Sequence, residues 1–156
     1  MPTATTQAAA RAQLLRHLSE TLRELPELAL VLRHPDLPKA QFHAGVTLPW
    51  DDSDPDNPLI FLDIRYWVLG ATPETSDQDF DLMLRGWQDR GWATSTEHDA
   101  RPRIGYARTP DGYTFALTQS VNGYLSLAGS TPPFDPESKA GEPLPARIDH
   151  PSAPPR

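Results

Sequence analysis

Between Leu59 and Leu69 the chain alternates without interruption. Ile60, Leu62, Ile64, Tyr66 and Val68 fall on one side of an extended strand, and Phe61, Asp63, Arg65 and Trp67 on the other. Successive strand residues point to opposite faces, so the first set belongs to a core. The second set mixes charge with aromatics and marks a face that is only partly covered. Any fold for this chain must bury one side of this strand and leave the other largely open.

Other strands follow the same period. Gln41–Leu48 places Phe42, Ala44, Val46 and Leu48 on one face and His43, Gly45 and Thr47 on the other, a half-buried strand. Trp92–His98, Ile104–Thr109 and Tyr113–Ser120 are further candidates. Turn chemistry sets their register. A two-residue Asp111-Gly112 turn puts Ile104, Tyr106 and Arg108 on the face of Phe115 and Leu117, whereas a three-residue loop would face Gly105 and Ala107 to those large residues. The two-residue turn is the expectation. For the next hairpin, a three-residue Val121-Asn122-Gly123 loop with left-handed Gly123 aligns Leu125 and Leu127 with Phe115 and Leu117.

Two helices complete the pattern. Ala8, Ala12, Leu15, Leu18, Leu22 and Leu25 recur at spacings of three and four; Thr5 or Thr6 can cap this helix and Pro26 ends it. The second has Ser76 as N-cap, Asp77, Asp79 and Asp81 where the helix dipole favours anions, an apolar stripe of Phe80, Met83, Leu84 and Trp87, and Gly91 as a left-handed stop. Together these predict an α+β fold, a two-layer sandwich of an antiparallel sheet of about five strands with both helices on one face. Ile60, Leu62, Ile64, Phe80, Met83, Leu84, Trp87, Phe115, Leu117, Leu125 and Leu127 are expected to share its core.

Composition sets the boundaries. The 18 prolines cluster at the ends and in one central loop, leaving ~110–120 residues for a core, enough for one domain. Residues 5–133 read as that domain. Residues 134–156, rich in proline and poor in core-forming side chains, read as a disordered tail.

Several function classes are disfavoured. Fourteen basic against 21 acidic residues, a net charge of −7, oppose binding to phosphate backbones or anionic membranes. The lack of cysteine removes disulfides, thiolate catalysis and cysteine-based zinc sites. There is no long apolar run and no signal-like N-terminus, so a cytoplasmic location is expected; an exported one would follow only from a misassigned N-terminus.

No catalytic motif stands out and no cofactor is expected. In the acidic loop, Asp52, Asp54 and Asp56 match the first ligands of a calcium-binding loop, with Asp63 at its twelfth position. Asn57 replaces the required glycine, Pro55 and Pro58 stiffen the loop, and strands flank it. A solvated hairpin loop is therefore expected, with these four aspartates as weak metal candidates. His43 and His98 lie on candidate strands and could meet in space. Trp67, Phe61, Arg65 and Asp63, on the open strand face, are the candidate binding residues. A non-enzymatic domain presenting that face or the acidic loop to a protein partner is the leading reading. A small-molecule binder or enzyme with a pocket between helices and sheet is the alternative.

The order Thr47-Leu48-Pro49-Trp50-Asp51-Asp52, Gly86-Trp87-Gln88-Asp89-Arg90-Gly91-Trp92, Thr109-Pro110-Asp111-Gly112-Tyr113 and Gly123-Tyr124-Leu125-Ser126-Leu127, closing on Ser130-Thr131-Pro132, resembles small lipoprotein-like or secreted-type proteins of unknown function from high-GC Gram-positive bacteria. The resemblance implies no activity. In those proteins a Leu-Pro-Cys-Asp-Asp segment and a terminal Ser-Pro-Cys segment recur, and the resemblance implies a disulfide between them. Here Trp50 stands at the first cysteine position and Pro132 or Pro133 near the second, and signal and lipobox are missing. It follows that Trp50 should pack on Pro132, Pro133 or Phe134 in place of the covalent link.

Overall fold

The computed structural model describes residues 6–23 and 25–151. The elements run α1 (Gln7–Arg23), β1 (Ala29–Val31), β2 (Val46–Pro49), β3 (Ile60–Leu69), α2 (Ser76–Asp89), β4 (Ala93–Glu97), β5 (Arg103–Arg108), β6 (Thr114–Gln119), β7 (Leu125–Ser130) and β8 (Arg147–Ile148). All pairings are antiparallel. The strand order is β4-β5-β6-β7-β3-β1-β8, with β2 also on β3. The fold is α+β as expected, but the sheet has eight strands where about five were expected. The additional ones are short: β1 and β8 span 3 and 2 residues, too few to show a period.

Both helices pack against the face that carries Leu62, Ile64, Tyr66, Phe115, Leu117, Leu125 and Leu127, all fully or almost fully buried. Of the expected core residues, Ile60 and Leu84 are partly buried against this cluster and the rest lie within it. Trp87 donates through Nε1 to Thr21 Oγ1 at 3.1 Å, and Thr21 donates to the His17 carbonyl at 2.8 Å, which ties the two helices together.

The first helix buries Ala10, Leu14, Leu18 and Leu22, so its N-terminal half is turned relative to the expected Ala8–Ala12–Leu15 stripe. The C-terminal segment also meets this end of the helix. Ala8 N–H donates to Lys139 O at 2.8 Å and Gln7 N–H to Ser138 Oγ at 2.9 Å, so this end of the helix serves that segment as well as the sheet. Thr6 caps the helix, its Oγ1 accepting from Ala9 N–H at 3.1 Å; Thr5, the other expected cap, lies outside the described residues. In α2 the N-cap position belongs to Thr75, one residue earlier than expected. Ser76 is buried as the first helical residue, and its hydroxyl accepts from Gln119 Nε2 at 2.9 Å.

The expected two-residue turn at Asp111-Gly112 is corrected. Thr109 N–H donates to Tyr113 O at 2.8 Å, which leaves Pro110-Asp111-Gly112 as a three-residue loop with Gly112 at φ 92°. Ala107 therefore faces Phe115, and Gly105 faces Leu117. The cause is α2. A Cβ on Gly105 would sit 3.2 Å from Phe80 Cζ and 3.3 Å from Leu84 Cδ1, so the helix needs small residues on β5 beneath it. The Val121-Asn122-Gly123 loop is as expected: Ser120 N–H donates to Tyr124 O, Gly123 has φ 88°, and Leu117 pairs with Leu127.

The expectation of a disordered tail does not hold for residues 134–151. Phe134 is fully buried and bridges to Ile60; Leu144 and Ile148 enter the core; Tyr66 Oη donates to Pro145 O at 2.9 Å; and β8 adds to β1. A handful of apolar side chains, widely spaced, suffices because each meets a site already shaped by the domain.

Candidate functional site

The face opposite the helices carries the candidate binding residues. Its strand β3 is bordered on one edge by β7, through Asp63–Trp67. The other edge is shared: β2 pairs with Ile60–Asp63 and β1 with Trp67–Leu69, so residues 64–66 have no strand beside them there.

Trp67 is not open as the alternation suggested. Phe42 stacks on it at 4.7 Å between ring centroids, and its indole N–H donates to Ala40 O at 2.7 Å. The 32–45 connection thus folds over this end of the face, with Phe42 N–H anchored to Leu32 O at 2.9 Å. Asp63 accepts from the Ser130 hydroxyl at 2.5 Å across to β7. Arg65 is exposed, its guanidinium carbon 5.9 Å from the Phe42 ring, and it makes no ion pair among the described residues. Phe42, His43, Gly45, Val46, Asp63, Ile64 and Arg65 line a groove of about 290 Å³ over the gap between β1 and β2.

Strand β2 corrects the reading of 41–48. Gly45, at φ 107°, breaks the extended run, and only Val46–Pro49 pairs, with every residue exposed. Because Val46 faces Asp63 and Leu48 faces Phe61, the apolar set points outward, away from the helices. Alternation reports two faces and does not say which one is covered.

Trp50 continues this outer row. It is 48% exposed and meets Phe61 edge-on at 5.8 Å. The expected junction of Trp50 with Pro132, Pro133 or Phe134 gains no support: Trp50 is exposed and its ring contact is with Phe61, while Pro49 pairs with Ile60 from one edge of β3 and Phe134 bridges to Ile60 from the other. The two segments flank β3, and Phe134 is fully buried in the core.

The acidic loop does not assemble a ligand set. Asp51 accepts from Ser53 N–H and Asp54 from Asp56 N–H, both at 3.1 Å, so these carboxylates shape the loop's own turns. Asp63 is engaged with Ser130, apart from the loop. No group of three or more His, Asp or Glu side chains among the described residues is placed to hold a metal. Nor do His43 and His98 meet, since His43 lines the groove beside β3 and His98 follows β4 at the opposite edge of the sheet.

A second polar cluster was missed by sequence reasoning. His17 Nε2 lies 3.1 and 3.2 Å from the Asp111 carboxylate oxygens, and Gln13 Nε2 donates to Asp111 at 3.1 Å. The rings of Trp92, Tyr113 and Phe115 enclose the imidazole at 5.0–6.0 Å. Burial pushes Asp111 up, but hydrogen bonds from Thr109 and His17 outweigh it and hold the carboxyl below its usual value. Burial, aided by Asp111, pushes Tyr113 up to about 12. The Thr109 hydroxyl bound to this carboxylate also accepts from Tyr113 N–H at 2.8 Å and is buried. The pair clamps α1 to the β5–β6 loop.

Among the described residues no helix is long and apolar enough to cross a membrane. Compared with known protein families, curated proteins and solved structures, the chain finds no match.

Proposed function

We propose that this is a non-enzymatic protein-binding domain that presents the β2–β3 part of its open sheet face, with the acidic loop beside it, to a protein partner. One observation carries the reading. Among the described residues four large hydrophobic side chains are exposed, Val46 (41%), Leu48 (41%), Trp50 (48%) and Val121 (68%), and three of them stand at alternate positions of one strand run. With Phe61 they form a contiguous outward row; scattered single hydrophobics are ordinary, contiguous ones mark interaction surfaces. Tryptophan and phenylalanine are the kinds of anchor that dominate binding energy.

The contact is by the face and not by the strand edge. Trp50 N–H donates to Leu59 O, so by antiparallel alternation Thr47 and Pro49 turn their backbone groups to the free edge. Proline has no N–H, which blunts that edge against an added strand. The interlayer space that the alternative pocket reading needs is occupied by Trp87, Phe80, Phe115, Leu14 and Leu18.

The test is site-specific photo-crosslinking in the native host. A crosslinking side chain at position 48 is expected to give a discrete protein adduct, and one at position 121, more exposed but in the β6–β7 loop, is not. Equal yields from both positions, or none from 48, would end this reading.

A further inference from the structure

The surface along β2 and β3 is graded in charge. At one end stand Asp51, Asp52, Asp54 and Asp56, all exposed; Leu48, Trp50 and Phe61 occupy the middle; Arg65 stands at the other end. Asp63 lines the same groove but accepts from the Ser130 hydroxyl toward β7, and Arg65 makes no ion pair with it or with any other carboxylate among the described residues. A cation left without a carboxylate, beside an aromatic wall, in a chain of net charge −7 is a place where an acidic group gains from binding.

The backbone adds an independent feature. Alternation along β3 turns the N–H and C=O of Arg65 to the same side as those of Leu59, Phe61 and Asp63, toward β2. At Arg65 that side is the gap between β1 and β2, and no backbone partner fills it among the described residues. The groove of about 290 Å³ opens there, with room for a side chain between Phe42 and Val46.

From these features, and resting on the docking reading above, we propose that the partner contributes an extended segment lying along β2 and β3. An acidic side chain enters the groove at Arg65, apolar side chains cover Leu48, Trp50 and Phe61, and basic side chains face the acidic loop. From Leu59 to Arg65 the face is ~20 Å long at ~3.3 Å per residue, which a segment of about seven residues spans. A segment with the same apolar centre and no acidic end would leave Arg65 unmatched.

Two synthetic peptides of about that length test this by fluorescence anisotropy at low salt. Both share an alternating Leu-Thr centre; one carries Lys at one end and Glu at the other, the second Lys at both ends. The mixed peptide is expected to bind about tenfold more tightly, a step of ~1.4 kcal/mol. Arg65→Glu is expected to invert the preference, and Arg65→Lys to keep its direction. Rising salt is expected to narrow the difference. Equal affinities in the wild type, or a ratio unmoved by Arg65→Glu, overturn the inference; if both peptides then still weaken with Leu48→Asp, the docking face stands without its charge rule. Failure of both peptides to bind also overturns it, and crosslinking at position 48 then decides the docking reading separately.

Discussion

At the scale of single residues, burial and partners decide what each tryptophan contributes. Trp67 stacks on Phe42 and donates to Ala40 O, whereas Trp50 keeps nearly half its surface in water and has one edge contact. A stacked aromatic pair is worth ~0.5–1.5 kcal/mol beyond area and a hydrogen bond ~1 kcal/mol. Trp67→Ala should therefore cost about 1–2 kcal/mol more stability than Trp50→Ala in urea melts, the reverse of what the Trp50 junction would have required; equal costs would contradict the stacking account. Asp111 makes a second residue-scale prediction. Hydrogen bonds from Thr109 and His17 hold its folded value below the unfolded one, so the ionised carboxylate contributes stability above the ordinary range. That contribution is lost as the pH falls through the folded value. Asp111→Asn should be less stable than wild type at neutral pH and approach it below about pH 4, where an unperturbed Asp titrates. Parallel stability profiles from pH 2 to 7 would show that the clamp at His17 carries no carboxylate charge.

Elements were legible in the sequence where a period ran long and ambiguous where it ran short. Leu59–Leu69 and the Phe80–Met83–Leu84–Trp87 stripe each gave several turns of consistent pattern, and both elements form with the expected buried side. The Val121-Asn122-Gly123 loop was legible because only one register aligned large with large. The same rule failed one hairpin earlier. There α2 lies directly over Gly105, and the space a helix takes from a strand is invisible until the layers are stacked. The candidate binding residues suffered similarly: Phe61 and Arg65 stand on the open face as read, but Val46 and Leu48 were read only as one face of a half-buried strand, and Trp50 was expected to pack on the 132–134 segment, so their exposed row was not foreseen. The C-terminal segment was least legible. Phe134, Leu144 and Ile148 are separated by prolines and charges that resemble a disordered composition, yet each is buried by a separate part of the domain. This reading predicts that Phe134→Ala costs ~3–5 kcal/mol, the range for deleting a fully buried aromatic ring. A loss under 1 kcal/mol, measured by chemical denaturation, would mean that the segment only rests on the surface.

For the whole molecule, the proposed binding role and the stability fall on opposite faces of one sheet. The helices seal one face, and tyrosine, tryptophan and phenylalanine rings fill the layer between. The other face stays open, and its apolar row lies on β2, the strand whose 4 residues are all exposed and which pairs on one side only. Backbone bonds there are covered by few side chains, whereas β6, β7 and β3 are each flanked by strands on both sides. Amides in such central strands exchange only when the whole domain opens, and those of exposed edges exchange through local opening. Hydrogen exchange in the free protein should therefore rank β3, β6 and β7 slowest and β2 and β4 fastest. Partner binding then separates two modes. Docking on the face should slow exchange at Leu48 and Trp50, whose N–H groups already point to β3, by suppressing local opening of β2. An added strand would instead protect Thr47, the one residue of Val46–Pro49 whose N–H turns to the free edge. Protection confined to Thr47 would refute face docking; protection at Leu48 and Trp50 that leaves Thr47 exchanging freely would establish it as the mode of contact.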